Sequence, residues 1–452
     1  MKHMLLRALA AALILICLAM PALADTLHVE GLTTDSDVYK QFVRENPEID
    51  LKFESIIYNS TDELIGEMLT GEFPYDVFTM YTQSFDIDQL IAKGYCASLP
   101  DNPLIAQKIG EMYPSVQQQF IRDGVIYGVP YESASIYYAY VPETWEAAGL
   151  SAKDVPTSFT GLLDFLDMWA ERIADEPEYN ICVTNVFDSE LYDENSYISY
   201  LVQRLVENYI MQRSYADEPL RFDTPIFTKL LNRCVETGKA LYENEPEQKG
   251  EMQLFNENGY SMADLATLVP LRMTEDQPIL IRSMLTAYFL NAASPNKELA
   301  LKFIETSLAA LSDRTGAYLY SNAAVVEDPQ YEPMVEEWQG RVAEIERQLE
   351  NTQDMDPLAR AELEITQEVF IDALEDVSNP RNRYIVPQEE LDVYRSYGDS
   401  LYFQPPSVFD PNTENGQNVR QLMERFCSGS MDAAEFVERL DQLAAMIEME
   451  NQ

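Results

Sequence analysis

Apolar and polar positions along this chain switch repeatedly between a period near two and a period near 3.6. Thr26 to Gly31 reads as a short strand, and Thr33-Thr34-Asp35-Ser36 supplies helix caps before Val38, Phe42 and Val43 form an apolar helical face. Leu51 to Ile57 alternates as a second strand. A helix from Thr61 to Leu69 follows, with Asp62 and Glu63 in the first turn, where the helix dipole favours negative charge. Tyr75 to Met80 makes a third strand, and a helix from Ser84 to Lys93 stops at Gly94, which has no Cβ to oppose a left-handed C-cap. Strands alternating with helices in this way predict an α/β fold with a mostly parallel sheet.

The pattern continues through the middle of the chain. Ser158 to Ile173 puts Leu162, Leu163, Phe165, Leu166 and Trp169 on one helical face, so Trp169 is expected in a core. Ile181 to Thr184 is a strand, Asn185 to Asn195 a polar loop, and Ser196 through Tyr209 a helix; helices around Phe227 to Tyr242 follow. Met284 to Leu290 is an apolar, β-prone run. It feeds a helix in which Ser294 would be the cap and Pro295 the first position, because Ala300, Phe303, Ile304 and Leu308 then recur at helical spacing.

After Leu311 the pattern is nearly all helical. Val335, Trp338, Val342, Ile345 and Leu349 step by three and four, and Leu358 to Val377 is bounded by Asp356-Pro357 and Asn379-Pro380. Tyr402 to Gln417 reads as a loop. Its Asp410 to Gly416 stretch superficially resembles a calcium loop, but the glycine falls one place late and the terminal glutamate is missing. Ser430 is expected to cap a last helix carrying Phe436, Val437, Leu440, Leu443 and Ile447.

Composition narrows the function. Met1 to Ala24 has Lys2 and Arg7, an apolar core from Leu9 to Met20 and a small-x-small end, the pattern of an export signal. Its core is shorter than the roughly 20 residues a bilayer span needs. Ile16 stands before Cys17 where lipoprotein signals carry a small residue, so no lipid anchor is expected. The chain is long enough for two or three domains, and its 31 basic and 77 acidic residues give a net charge of −46, which repels nucleic acid and anionic membrane. Cys96, Cys182, Cys234 and Cys427 are widely spaced without a CxxC pair. Export permits a disulfide among them, with the pairing open. One histidine, His28, follows the signal, which removes most routes to a histidine triad or a zinc site; no cofactor, metal or catalytic residue is expected.

In open α/β sheets ligands sit beyond the carboxyl ends of the strands, which nominates Thr34, Asp35, Tyr58, Tyr81 and Thr82 from the first half. Asn185, Phe187, Asp188 and Tyr192 occupy the same kind of position in the second half, and Tyr131 with Glu132 joins them. Asp35 could equally be only a cap, and Tyr58 and Tyr81 only rim aromatics. Tyrosines with Thr, Asn and Asp suit stacking on sugar rings and hydrogen bonds to hydroxyls. They equally suit a cationic amine such as a polyamine, paired by Asp35, Glu132 or Asp188.

Several runs carry a resemblance. Asn291 to Ala300, NAASPNKELA, resembles the segment in which maltose-binding-protein-like extracellular solute-binding proteins (family 1) return from the second lobe to the first. Tyr75-Asp76-Val77-Phe78, Leu90 to Tyr95, Gly124 to Glu132 (a G-x-x-Y-G-V-P hairpin), Ile136 to Tyr140, Gly149-Leu150 with Val155-Pro156-Thr157, Leu265 to Leu271 and Gly429 to Val437 are similar to that family in order and spacing. Tyr140-Val141-Pro142 departs from its usual Tyr-Asn-Lys, and Ala134 stands where some of its sugar binders carry a carboxylate.

The resemblance implies a two-lobed periplasmic-binding-protein fold of type II, with hinge strands and an extended helical C-terminal part. Residues 25–139 and 286–325 would form the first lobe and 140–285 the second, with 326–452 a helical tail completing mainly the second. It further implies an exported monomer, in the periplasm or on the extracellular face, that closes over a small solute, a sugar or oligosaccharide, and delivers it to the membrane permease of an ABC importer. The contrasting class is an exported glycosidase working with two carboxylates. With 77 acidic residues a chance pair is certain, and no nucleophile elbow, P-loop or HExxH motif supports an enzyme.

Overall fold

The computed structural model describes residues 25–54, 61–71, 73–82, 86–140, 142–182, 195–245, 252–258, 267–269, 271–350, 356–403 and 414–450. The expected export signal and the candidates Tyr58, Asn185, Phe187, Asp188 and Tyr192 lie outside these residues. Among the described residues no helix is long and apolar enough to cross a membrane.

The first segment builds as its periodicity predicts: β1 (Thr26–Glu30), α1 (Asp37–Glu45), β2 (Asp50–Glu54), α2 (Thr61–Thr70) and β3 (Val77–Tyr81), with β1 parallel to both β2 and β3. α3 (Ile87–Ala92), α4 (Pro103–Gly110), α5 (Pro114–Phe120) and the hairpin β4 (Ile121–Arg122) with β5 (Val125–Ile126) follow. The helix expected from Ser84 begins later, because Asp86 is its cap and accepts the Gln89 N–H at 3.0 Å. Gly94 does take the left-handed conformation, with φ +74°.

β6 (Gly128–Tyr140) then runs out of this layer toward a second group of elements: α6 (Pro142–Ala147), α7 (Phe159–Arg172), β7 (Tyr179–Cys182), α8 (Asn195–Tyr215), α9 (Pro225–Glu243), β8 (Met252–Asn258) and β9 (Thr267–Val269). α7 shows why they fold together. The Ser158 hydroxyl accepts the Gly161 N–H at 3.0 Å, and steps of three and four bury Phe159, Leu162, Leu163, Phe165, Leu166, Trp169 and Ala170. Trp169 is fully buried, as its position on that face predicts.

β10 (Ile281–Leu290) returns the chain, pairing antiparallel with β6 on one side and β3 on the other. The sheet order is β2-β1-β3-β10-β6-β8-β7, so β6 belongs to both groups, pairing β10 with its first half and β8 and β9 with its second. Two large separate cores result, beside a small cluster of Ala317, Tyr318, Val386 and Leu391. One gathers Leu27, Phe42, Phe78, Phe120, Phe289 and Phe303; the other gathers Trp145, Trp169, Phe227, Leu230, Phe436 and Leu440.

The tail divides between them. After α10 (Lys297–Ala309) and α11 (Asp313–Leu319) come α12 (Tyr331–Glu350), α13 (Pro357–Val377), α14 (Gln388–Tyr397) and β11 (Leu401–Phe403). Leu401 and Phe403 lie in the first core, while α15 (Glu414–Cys427) and α16 (Ala433–Glu450) contribute Val419, Phe426, Phe436 and Leu440 to the second. Tyr402, read as loop, is therefore in a strand, because its backbone pairs parallel with β10 opposite Arg282 while its apolar neighbours enter the core. The last helix is capped by Asp432, which accepts the Glu435 N–H at 2.8 Å, whereas Ser430 pairs with the Ser428 hydroxyl.

One carboxylate ties the return segment to the first lobe. Asp76 is buried between β1 and β3; its Oδ2 accepts the His28 N–H at 2.9 Å and its Oδ1 accepts the Ser294 hydroxyl at 2.6 Å. Asn296 Nδ2 donates to the same carboxylate and, at 3.1 Å, to the Thr26 carbonyl. Ser294 is thus engaged by Asp76 and by the Asn296 N–H, and α10 starts at Lys297 rather than at Pro295. Replacing Asp76 by Ala leaves the half-buried His28 N–H and the buried Ser294 hydroxyl without their acceptor. We expect a loss of about 3–5 kcal/mol in urea unfolding, and a smaller loss for Asp76→Asn, which keeps one acceptor oxygen. Equal effects from the two variants would show that the charge, not the bond count, carries the contribution.

Candidate functional site at the crossing strands

The carboxyl ends of β1, β2 and β3 all point to the edge where the chain crosses to the second core. Tyr81, the last residue of β3, pairs with Thr286 of β10, and Thr286 pairs on its other side with Glu132 of β6. Tyr81, Thr286 and Glu132 therefore form one row across three strands, at a bulge between Thr286 and Ala287. Beyond this row, among the described residues, the strands that continue toward the second group are β6, β10 and β11.

Each side chain in the row is held locally. Thr286 is buried and its hydroxyl donates to Glu132 Oε2 at 3.1 Å, while the Glu132 side chain is otherwise exposed. The Thr82 hydroxyl accepts the Leu285 N–H at 3.0 Å and the Thr82 N–H donates to the Leu285 carbonyl at 2.9 Å, so Thr82 completes the strand pairing. Tyr81 is half-buried. Tyr131 stacks on the buried Tyr288 with ring centroids 4.1 Å apart, and Tyr288 meets Phe303 edge-on at 5.2 Å. Burial pushes the Tyr131 phenol far above its usual range, and Tyr288, Glu132 and Tyr81 add to that rise against a hydrogen bond with Thr79. Tyr131 thus stays neutral, with one ring face committed to packing rather than free for a ligand.

The adjoining end of β1 holds a residue that periodicity did not single out. Glu30 is fully buried, and its Oε2 accepts the Thr79 N–H at 3.2 Å while its carbonyl accepts the Thr79 hydroxyl at 2.9 Å. Gly31 follows with φ +73°, and a Cβ there would lie 2.4 Å from Thr79 Oγ1, so only glycine lets the two strands approach. A charge placed directly before a glycine at a strand end is the signal that could have found Glu30. Thr34 and Asp35 follow in an exposed turn. Ser36, not Asp35, caps α1, accepting the Tyr39 N–H at 3.3 Å, and the Thr33 hydroxyl holds the Asp35 carboxyl below its usual range.

α8 braces the crossing strands from the second group. Arg282 of β10 meets Glu207 at 2.8 Å, the Tyr200 hydroxyl donates to Tyr138 of β6 at 3.2 Å, and the Tyr402 hydroxyl of β11 donates to Ser214 at 2.7 Å. Ser135 and Ser283 join β6 to β10 at 2.9 Å in the interior. Cys96, Cys234 and Cys427 are free thiols, which burial pushes up, to about 12 for Cys96 and Cys427. Among the described residues no cluster of His, Cys, Asp and Glu could hold a metal ion.

No family model matches the chain, and no curated protein matches it in sequence. Solved structures do. A chitin oligosaccharide binding protein superposes with a TM-score of 0.53 at 13% identity, covering 94% of this chain and 100% of that one. The GacH receptor of Streptomyces glaucescens, solved unliganded and with acarbose, gives 0.53 at 12% identity over 94% and 99%. The ABC substrate-binding protein Lmo0181 of Listeria monocytogenes, in complex with cycloalternan, gives 0.51 at 12% identity over 94% and 98%. The chain has the two-lobed solute-binding-protein fold. In that fold the row Tyr81-Thr286-Glu132 sits on the first lobe, beside the strands that join it to the second.

The structure thus brings Tyr81, Thr82, Tyr131 and Glu132 onto neighbouring strands and sets Thr34 and Asp35 on the turn after β1. What these groups offer is hydroxyl, carboxylate and aromatic contact, the Thr286 hydroxyl being bound to Glu132 Oε2.

Glu207 makes the brace pH-sensitive. Burial raises its carboxyl, but Arg282, Arg204 and a hydrogen bond from Gln203 outweigh that and bring it down to about 2. A carboxyl depressed on folding stabilises above its unfolded value and loses that contribution as pH falls through the folded one, so this one acts between about pH 4.5 and 2. Thermal melts from pH 6 to 2.5 should show part of the acid destabilisation disappearing in Glu207→Gln, with melting lowered at neutral pH; an unchanged slope would remove Glu207 from the account.

Proposed function

We propose that the protein is an exported, monomeric solute-binding protein that captures a sugar or oligosaccharide between its lobes. It would pass that solute to the permease of an ABC importer and carry out no chemistry on it. The observation that supports this most is the position of Tyr81, Thr286 and Glu132: one row of hydroxyl, carboxylate and aromatic groups at the strands crossing between two separately packed cores. The structural neighbours point the same way: one is a chitin oligosaccharide binding protein, and the others were solved in complex with acarbose and cycloalternan. Residues 25–139 and 286–325 would move as one lobe and 140–285 with α15 and α16 as the other. Tyr58, Asn185, Asp188 and Tyr192 are assigned to the same groove on sequence grounds.

The mechanism is a population shift. A solute touching both lobes gains its full contacts only when they close, and moving the balance from 1:99 to 99:1 takes about 5.5 kcal/mol of differential affinity. Closure is what a permease can read.

Mono- and oligosaccharides, amino acids and polyamines titrated into the protein test this by calorimetry, melting temperature and X-ray scattering. We expect one saccharide class to raise the melting temperature and shrink the scattering radius without releasing new reducing ends. Stabilisation by polyamines alone would make the solute cationic, and new reducing ends would make the protein a glycosidase. Tyr81→Ala should weaken the saccharide about tenfold or more while leaving ligand-free unfolding nearly unchanged. Tyr131→Ala should also cost about 2–4 kcal/mol without ligand, because it removes the stack on Tyr288.

A further inference from the structure

α12 and α13 form a helical hairpin whose main packing is on itself. The Trp338 ring meets Phe370 edge-on at 5.6 Å, and the base is closed by the Tyr331 hydroxyl donating to the Ser378 carbonyl at 2.9 Å and the Ile385 N–H to the Val326 carbonyl at 2.9 Å. α13 contains no buried residue in its 21, yet it is apolar on two sides. Leu363, Phe370 and Leu374 are half-buried on the side of α12. At about 100° per residue, Leu358, Ile365 and Val369 fall on the opposite side, and they are 72%, 62% and 57% exposed.

The steps of seven and four from Leu358 to Ile365 to Val369 are those of a helix seam, and the stripe is about 17 Å long at 1.5 Å per residue. Glu362 and Asp372 flank it and Asp376 continues its line. α12 and α13 together carry 12 acidic and three basic residues. All three arginines are matched within the hairpin: Arg341 with Glu337 at 2.7 Å, Arg347 with Glu344 at 2.6 Å and Arg360 with Glu364 at 2.9 Å. The stripe therefore presents aliphatic side chains in a field of negative charge.

We propose that this stripe docks an amphipathic helix of a partner protein, with aliphatic residues at helical spacing and Lys or Arg along both flanks. A second copy of this chain would bring two such acidic hairpins together, and an anionic lipid surface would meet the same repulsion. Three aliphatic anchors make a small interface of the transient class. The surface is separate from the groove between the lobes, so the proposal stands or falls independently of the solute.

The test uses the full chain and a fluorescent synthetic helix bearing Leu at a and d positions and Lys at e and g, with a scrambled peptide of the same composition as control. Anisotropy should show binding of the helix and not of the scramble, weakening as salt rises. The triple variant Leu358→Ser, Ile365→Ser, Val369→Ser should lose about tenfold or more in affinity at unchanged melting temperature, and Glu362→Gln with Asp372→Asn a smaller factor at low salt only. Equal binding of helix and scramble, or of wild type and triple variant, would reduce the interaction to adsorption on an acidic protein and overturn the proposal. A dimer in sedimentation that the triple variant abolishes would make a second copy the occupant and overturn it equally.

Discussion

The fold depends on how a chain that has left the first lobe is made to rejoin it. β10 reaches β3 only after an excursion of well over a hundred residues, and loop closure over such a length costs entropy that sheet pairing must repay. Asp76 makes the rejoining specific. Its backbone and carboxylate bind β1 through His28, while its carbonyl accepts the Asn291 N–H at 3.0 Å and its carboxylate takes Ser294 and Asn296. Asn291 adds a bond to the Tyr75 carbonyl at 2.8 Å. A shift by one residue would turn Phe289 away from Phe78 and break each of these bonds, so register and lobe closure are set together.

From that register the candidate site follows. Once Leu290 lies opposite Val77, Thr286 must lie opposite Tyr81, and the bulge that frees Tyr131 from the ladder lets its ring settle on Tyr288. The close approach of Gly31 to Thr79 brings the β1 turn, with Thr34 and Asp35, beside the same edge. The candidate rim is thus a consequence of strand pairing, which would let a binding surface there keep its geometry if the other lobe moved.

Much of the fold was legible in the sequence because amphipathic periods are local. The helix expected over Ser158 to Ile173 forms over Phe159–Arg172, and the burial of Trp169 follows from spacing alone. Two of the errors share one cause, a tertiary partner that local reasoning cannot see, whereas the cap of the last helix moved to Asp432 for a local reason. Ser294 looks like a cap but is taken by Asp76, and Tyr402 and Phe403 look like loop but have β10 to pair with. The candidate site was partly legible. Strand ends pointed to Tyr81 and Thr82, but the stacking of Tyr131 and the buried Glu30 depend on contacts made from Tyr288 and Thr79, far away in sequence or on another strand.

The acidity of the chain bears on the proposed closing motion as a whole. With a net charge of −46, bringing two lobes into contact works against like-charge repulsion, which favours the open state until a solute supplies the difference. That repulsion is screened over about 8–10 Å at physiological salt, so it acts mainly in the last part of closure, when the rims approach. A neutral solute must overcome it by contacts alone, whereas a cation would also neutralise part of it. Arg204 and Arg282 both pair Glu207, and so keep β10 and α8 together whatever the balance of surface charge. In the proposed closing motion the brace and the net charge would therefore act in opposition, one holding the crossing strands to α8 and the other resisting closure.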